Sequence, residues 1–92
     1  MKPIYFSNHA KSQMILRGAT EEEVEIAVRA GKREPAKLGK FKSRYSFAFN
    51  SFSPVNQKFY KYKIVESIFA DESEEITIVT VKVYFTNSEV TQ

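Results

Sequence analysis

The chain contains no cysteine, one histidine and three glycines among its 92 residues. Without cysteine, a disulfide framework, a thiolate zinc site and a cysteine nucleophile are excluded, and the reducing cytoplasm is the expected location. With a single histidine, the remaining metal ligands are carboxylates, which fall at positions typical of helix caps and turns. We therefore expect no metal and no other cofactor. The glycines are isolated from one another, which excludes a glycine-rich phosphate loop.

Long apolar runs are also missing. The longest one is far short of a membrane span, and residues 1–10 lack the apolar segment of a signal peptide, so we expect no membrane association. The hydrophobic share of 42% and the aromatic share of 14% are enough to fill one core. The sequence thus predicts one domain over residues 1–92.

Positive charge is concentrated in the middle of the chain. Between residues 26 and 65, ten lysines and arginines stand against one acid, a net charge of +9, whereas both flanks are acidic. Tyrosines and phenylalanines are interleaved with these cations, a composition typical of a nucleic-acid surface. A lysine-covered solvent face over an aromatic core gives the same pattern, because strands alternate their side chains. Both interpretations stay open at this point.

Two short helices are predicted before Gly31. Ser7 or Asn8 caps the first helix, and Gly18 ends it with a left-handed residue. The second begins with a capping box formed by Thr20 and Glu23. Because a helix turns by 100° per residue, polar side chains spaced four residues apart form a stripe beside the core face of the first helix. This stripe consists of His9, Gln13 and Arg17.

From Lys32 onward the hydrophobic pattern has a period of two. It predicts strands at residues 33–38, 43–50, 58–70 and 76–85. The fold class is therefore α+β, with two N-terminal helices packed on one face of an antiparallel sheet of about four strands. On the other face we expect five side chains to converge, namely Arg44, Lys61, Lys63, Lys82 and Tyr84.

This inventory of side chains suits metal-free RNA cleavage, in which a 2′-hydroxyl attacks the adjacent phosphate. His9 is the natural acid or base near neutral pH, and Arg17 and Arg44 are candidates for stabilising the phosphorane charge. The predicted positions for binding the RNA backbone are Lys42, Lys61, Lys63 and Lys82. Each residue also has a structural interpretation: Arg17, for example, lies at a helix C-terminus, where the helix dipole favours a cation.

The stretch from His9 to Val24 resembles the opening H-A-x-x-R-M-x-x-R-G-I-S/T-x-E-E-V of a family of small prokaryotic domains, which is grouped with the RelE-like and barnase-like toxin superfamily. The matching residues are His9, Ala10, Met14, Arg17, Gly18, Glu22, Glu23 and Val24. Gln13 and Ala19 stand where the motif has Arg and Ile. The run from Ile78 to Val81 is similar to the family's last strand.

The resemblance implies a RelE-like toxin fold and a metal-independent endoribonuclease that acts on mRNA or tRNA, with or without the ribosome. It also implies a small acidic antitoxin as partner, and it gives a role to His9, Arg17 and Thr80. Thr80 thereby joins the lysines as a candidate RNA-binding position, and Tyr84 joins them because of its predicted place on the same sheet face.

Two other hypotheses compete with the toxin. One is a non-catalytic module whose basic sheet face binds nucleic acid or an acidic partner, in which case His9 has no role. The other is a homo-oligomer that pairs through an exposed apolar patch of Phe59, Val65 and Phe69.

Overall fold

The computed structural model describes residues 1–90, which form two helices and a five-stranded mixed sheet. In chain order the elements are β1 (Ile4–Phe6), α1 (Asn8–Arg17), α2 (Glu21–Ala30), β2 (Lys32–Pro35), a 3₁₀ turn (Lys37–Gly39), β3 (Phe41–Phe52), β4 (Phe59–Asp71) and β5 (Ile76–Thr86). The predicted α+β class, with both helices on one side of the sheet, is confirmed. No helix within residues 1–90 has the length and apolar character needed to cross a membrane.

Both helices begin and end where local sequence predicts. The Ser7 side chain accepts a hydrogen bond from the Ala10 amide at 3.0 Å, which caps α1. Gly18 ends α1 with a φ of 80°, a conformation that costs glycine little because it has no Cβ. Thr20 and Glu23 form the reciprocal capping box that starts α2.

The strand order is β1-β5-β4-β3-β2, in which β1 is parallel to β5 and the other neighbours are antiparallel. The prediction of about four antiparallel strands is therefore wrong, because it did not count β1. Three residues are too short to show a period of two. This strand is held by backbone bonds from Ile76 to the Pro3 carbonyl (2.9 Å) and from Ser7 to the Ile78 carbonyl (3.0 Å), between segments far apart in the chain.

The sheet has one face covered by α1 and α2, which we call the helix face, and an open face. The core lies between the helices and the helix face, and its members at 0% exposure include Val24, Val65, Phe69 and Val81. Because Val65 and Phe69 are in this core, the predicted exposed patch of Phe59, Val65 and Phe69 is not formed. Of these three, only Phe59 is exposed.

Gly31 lets α2 turn into β2 while touching β3. A Cβ at this position would lie 2.4 Å from the Ala27 carbonyl oxygen and 2.6 Å from the Arg44 carbonyl oxygen, closer than real Cβ atoms approach backbone. Only glycine fits without moving β3. The contact fixes the backbone of Arg44, a residue of the open face, against the end of α2.

Lys63 is buried on the helix face, where it joins β4 to the junction of the two helices. Its Nζ lies 2.8 Å from Glu23 Oε2 and donates to the Gly18 carbonyl at 2.9 Å. The ammonium also lies 5.2 Å from the centre of the Phe49 ring. A buried ammonium needs such partners, because leaving it unpaired away from water is costly. Lys63 is thereby explained by the fold.

Candidate functional site

His9 meets Thr80 at the edge of the sheet. His9 is the second residue of α1 and is exposed, and its Nε2 lies 3.1 Å from Thr80 Oγ1 on β5. Either partner can donate, depending on which ring nitrogen carries the hydrogen. In both tautomers the bond fixes the orientation of the imidazole ring. The structure therefore brings together His9 of the opening motif and Thr80 of the last strand, which are 71 residues apart in the sequence.

Ser7 anchors the start of α1 to β5 and so places His9. Its amide donates to the Ile78 carbonyl at 3.0 Å, and its hydroxyl donates to the Val79 carbonyl at 3.0 Å. The same hydroxyl oxygen accepts from the Ala10 amide, which caps the helix. One side chain thus sets both the start of the helix and its position on the strand.

An irregularity in β5 puts Ile78 on the opposite face from Thr80, which shares the open face with Lys82. Thr80 pairs with Ile68 and Ile78 pairs with Phe69, so that Val79 has no opposite residue on β4. Such a bulge shifts the alternation of side chains by one position. Ile78 and Val81 consequently both face the core. Strict alternation along β5 would instead place Ile78 and Thr80 on the same face.

Charged side chains cross the open face in one row. Four consecutive strands contribute one residue each to this row, in the order Lys32, Arg44, Glu66 and Lys82. Neighbouring strands lie about 4.8 Å apart, which puts the Cα atoms of Arg44 and Lys82 about 10 Å from each other. Arg44 Nη2 lies 3.1 Å from Glu66 Oε2. The next row, two residues along the strands, is Glu34, Lys42, Ile68 and Thr80.

A groove of about 780 Å³, which we call the lysine groove, runs over this face from β5 to the 3₁₀ turn. Four lysines line it, namely Lys37, Lys40, Lys42 and Lys82. Among residues 1–90, Glu66 is the one carboxylate in its lining, and that carboxylate is paired with Arg44. Val79 and Lys82 line it on β5 and Ile68 on β4, so that Thr80 lies beside the groove, next to Val79 in the chain and opposite Ile68. A concave surface lined by one sign of charge attracts the opposite charge.

A second cavity of about 350 Å³, which we call the inner hollow, lies on the other side of Glu66. Arg44, Glu66 and Lys42 line it together with apolar Ala30, Ile64 and Val90. Lys42 and Glu66 belong to both cavities. They therefore form the ridge between the lysine groove and the inner hollow.

Two of the predicted RNA-binding lysines lie elsewhere. Lys63 pairs with Phe47 of β3 and Arg44 pairs with Glu66 of β4, so Lys63 and Arg44 point to opposite faces. Lys61 is exposed and lies two residues before Lys63, on the same side of β4. The structure thus does not bring Lys61 and Lys63 together with the residues of the open face.

Arg17 and Tyr84 lie at a distance from the His9–Thr80 pair. Arg17 is eight residues after His9 on the same helix, about 12 Å along its axis at the usual rise. Tyr84 is on the open face of β5, four residues after Thr80, and is 47% exposed. Neither is placed to contact the group that His9 contacts.

Sequence reasoning missed several residues of the site. Glu66 was not a candidate. Lys32, Lys37 and Lys40 were counted only in the net charge of residues 26–65, and no place in the site was predicted for them. The signal for Glu66 and Lys32 is the register between strands, which places Glu66 between two cations and is not visible in a single strand. Lys37 and Lys40 lie in and just after the 3₁₀ turn, which no register places. No group of three or more histidine, aspartate or glutamate side chains within residues 1–90 is arranged to hold a metal ion.

No family model matches the sequence, and neither a curated protein nor a solved structure is significantly similar to it. The resemblance of the opening motif therefore stays a prediction. The arrangement of His9, Thr80 and the lysine groove is therefore the basis for a proposal of function.

Proposed function

We propose that the protein is a metal-independent endoribonuclease of the RelE-like toxin type, which cleaves RNA where His9 meets Thr80. The observation that supports this best is the 3.1 Å bond between His9 and Thr80, because Thr80 is next in the chain to Val79, which lines a groove with four lysines. A group that transfers protons near neutral pH stands there beside a surface suited to a phosphate backbone. RNA supplies the rest of the reaction, because its 2′-hydroxyl is the nucleophile.

The proposed reaction has one chemical step. The 2′-oxygen bonds to phosphorus while His9 takes its proton, and the bond from phosphorus to the 5′-oxygen breaks. The leaving 5′-oxygen takes a proton from water, and His9 later releases its proton to solvent. The products are a 2′,3′-cyclic phosphate and a 5′-hydroxyl. Thr80 holds the imidazole ring in position for this transfer.

Lys82 is the cation best placed to stabilise the negative charge on the phosphate. It follows Thr80 by two residues on the open face of β5, so their Cα atoms are about 7 Å apart. The flexible stem of a lysine spans that distance. Arg44 already neutralises Glu66, and Arg17 is about 12 Å from His9, so neither is as well placed as Lys82 for the reacting phosphate. Tyr84, further along the same strand, offers an exposed ring for base stacking.

The lysine groove also suits the partner that a toxin requires. An acidic segment of an antitoxin would complement Lys37, Lys40, Lys42 and Lys82 and would cover the site at the same time. Competition between RNA and such a segment would account for inhibition without a second binding surface.

A non-catalytic binding module is the second candidate. The observation in its favour is that none of the four groove lysines contacts His9, so RNA or an acidic partner can be held without the histidine. The two candidates differ in one respect, which is whether bound RNA is cut.

The test is incubation of the purified protein with end-labelled RNA in excess chelator, alone and with purified bacterial ribosomes. General acid or base catalysis contributes about 10²- to 10⁴-fold to a rate, so His9→Ala should lose at least about 100-fold. Thr80→Val keeps the shape of the side chain but removes its hydroxyl, and it should lose less. Lys11→Ala, an exposed change on the same helix, is the matched control.

Full cleavage by a folded His9→Ala protein would reject the assignment of the acid-base residue. Salt-sensitive RNA retention without cleavage, under both conditions, would favour the binding module. Circular dichroism of each variant separates the loss of chemistry from the loss of fold.

A further inference from the structure

The inner hollow has the size and the lining of a site for one nucleobase. Its volume of about 350 Å³ lies at the lower end of the range of small-molecule sites, about 300–1,000 Å³. Ile64, Ala30 and Val90 supply apolar walls, and Arg44 and Glu66 supply polar groups. The lining also holds Lys32 and the ion pair of Lys42 Nζ with Glu34 Oε2 at 3.9 Å. A flat ring with hydrogen-bonding groups along one edge matches this combination of walls and polar groups.

Glu66 is a nearly buried carboxylate, and the hollow gives access to it. Its side chain is 6% exposed, while the side chain of its partner Arg44 is 56% exposed. Oε2 lies 3.1 Å from Arg44 Nη2 in an ion pair, and Oε1, which takes part in no ion pair within residues 1–90, is left as an acceptor for a ligand in the hollow. A guanidinium has five N–H donors, so Arg44 keeps donors for a ligand while it is bonded to Glu66. The two side chains therefore present one acceptor beside several donors.

Cytosine is the base whose edge fits this order of groups. Its Watson–Crick edge has one amino donor followed by two acceptors, N3 and O2. The amino group can donate to Glu66 Oε1, a pairing known for glutamate and the cytosine amino group, and Arg44 can donate to both acceptors. Guanine offers two donors, of which the second would compete with Arg44 for Oε2. Uracil has no amino group, and adenine has a single acceptor beside its amino group.

We propose that the inner hollow binds a cytosine base of the RNA, with Glu66 and Arg44 as the residues that determine base specificity. This inference rests on the proposed function, since it treats the open face as an RNA-binding surface. Lys42 stands on the ridge between the hollow and the lysine groove, where it can hold the phosphate that joins the two. A base in the hollow then fixes which phosphate reaches His9.

The experiment measures binding without cleavage. His9→Ala protein is titrated with the four nucleoside 5′-monophosphates, and the backbone amide signals of Gly31, Ile64 and Glu66 are followed by NMR. Cytidine monophosphate should shift these signals at a concentration about tenfold or more below that needed for uridine monophosphate. Glu66→Gln in the same background should abolish most of this preference, whereas Glu25→Gln, an exposed change on α2, should retain it.

Comparison of the four nucleotides on one protein keeps the test valid even if Glu66→Gln does not fold. Equal binding of all four, or shifts confined to other parts of the chain, would overturn the inference. Selective binding of cytidine monophosphate by a protein that cuts no RNA would refute the proposed function and leave the site standing. Cleavage of RNA without any base preference would refute the cytosine site and leave the proposed function standing.

Discussion

The lysine groove predicts a specific salt dependence of RNA binding. Three of its lysines, Lys37, Lys40 and Lys82, can be changed to glutamine together without removing a buried ion pair. Each phosphate contact on a single strand contributes about 0.7 to the slope of log affinity against log salt, so loss of three contacts should lower the slope by about 2. Between 50 and 200 mM salt, the affinity of the parent protein should therefore fall about 20-fold further than that of the triple variant.

A matched control separates the groove from net charge. Lys11, Lys58 and Lys61 are exposed lysines outside the groove, and changing them to glutamine lowers the net charge by the same three units. Fluorescence anisotropy of a labelled single-stranded RNA, in the His9→Ala background and at several salt concentrations, gives both slopes. An equal change of slope in the two triple variants would show that RNA responds to overall charge and not to the groove.

Three further predictions concern stability, each measured by urea unfolding. Lys63→Ala should cost about 3 kcal/mol, because it leaves Glu23 without its buried partner, and RNA retention per folded molecule should be unchanged. Hydrogen bonds from Lys2 and Arg33 hold the pKa of Asp71 below its ordinary value. The stability that these bonds contribute should be full above about pH 4 and should fall as the pH drops through the lowered pKa. Asp71→Asn should therefore reduce the loss of stability at acid pH. Ser67→Ala should raise the free energy of unfolding by about 1 kcal/mol, since the buried Ser67 hydroxyl has no hydrogen-bond partner among the described residues. A lower free energy of unfolding in this variant would contradict the prediction.

The helices were predictable because their signals are local. A serine or threonine cap, a capping box and a glycine stop act within four residues, and the structure has Ser7, Thr20, Glu23 and Gly18 in these roles. The resemblance of motifs gave a role to both His9 and Thr80, but nothing in the sequence predicted that their side chains meet. No local rule brings the start of the chain to the last strand, because that contact depends on the parallel pairing of β1 with β5.

The faces of the sheet were predictable only in part. Alternation correctly separates Arg44 from Tyr45 within β3, and it separates Lys63 from Ile64 within β4. Alternation does not say which side chains of β4 share a face of the sheet with which side chains of β3. The register of Phe47 with Lys63 decides this and puts Lys63 under the helices. The bulge at Val79 changes the faces of β5 for a similar reason, since it is visible only against β4.

The proposed reaction is tested most directly by an RNA with one 2′-deoxy nucleotide at the cleaved position, incubated with the parent protein in excess chelator. If the 2′-hydroxyl is the nucleophile and His9 takes its proton, the ribose substrate is cut to a 2′,3′-cyclic phosphate and the deoxy substrate is not cut at that bond. Cleavage of the deoxy substrate at the same bond and at a similar rate would contradict the mechanism, whatever the effect of His9→Ala.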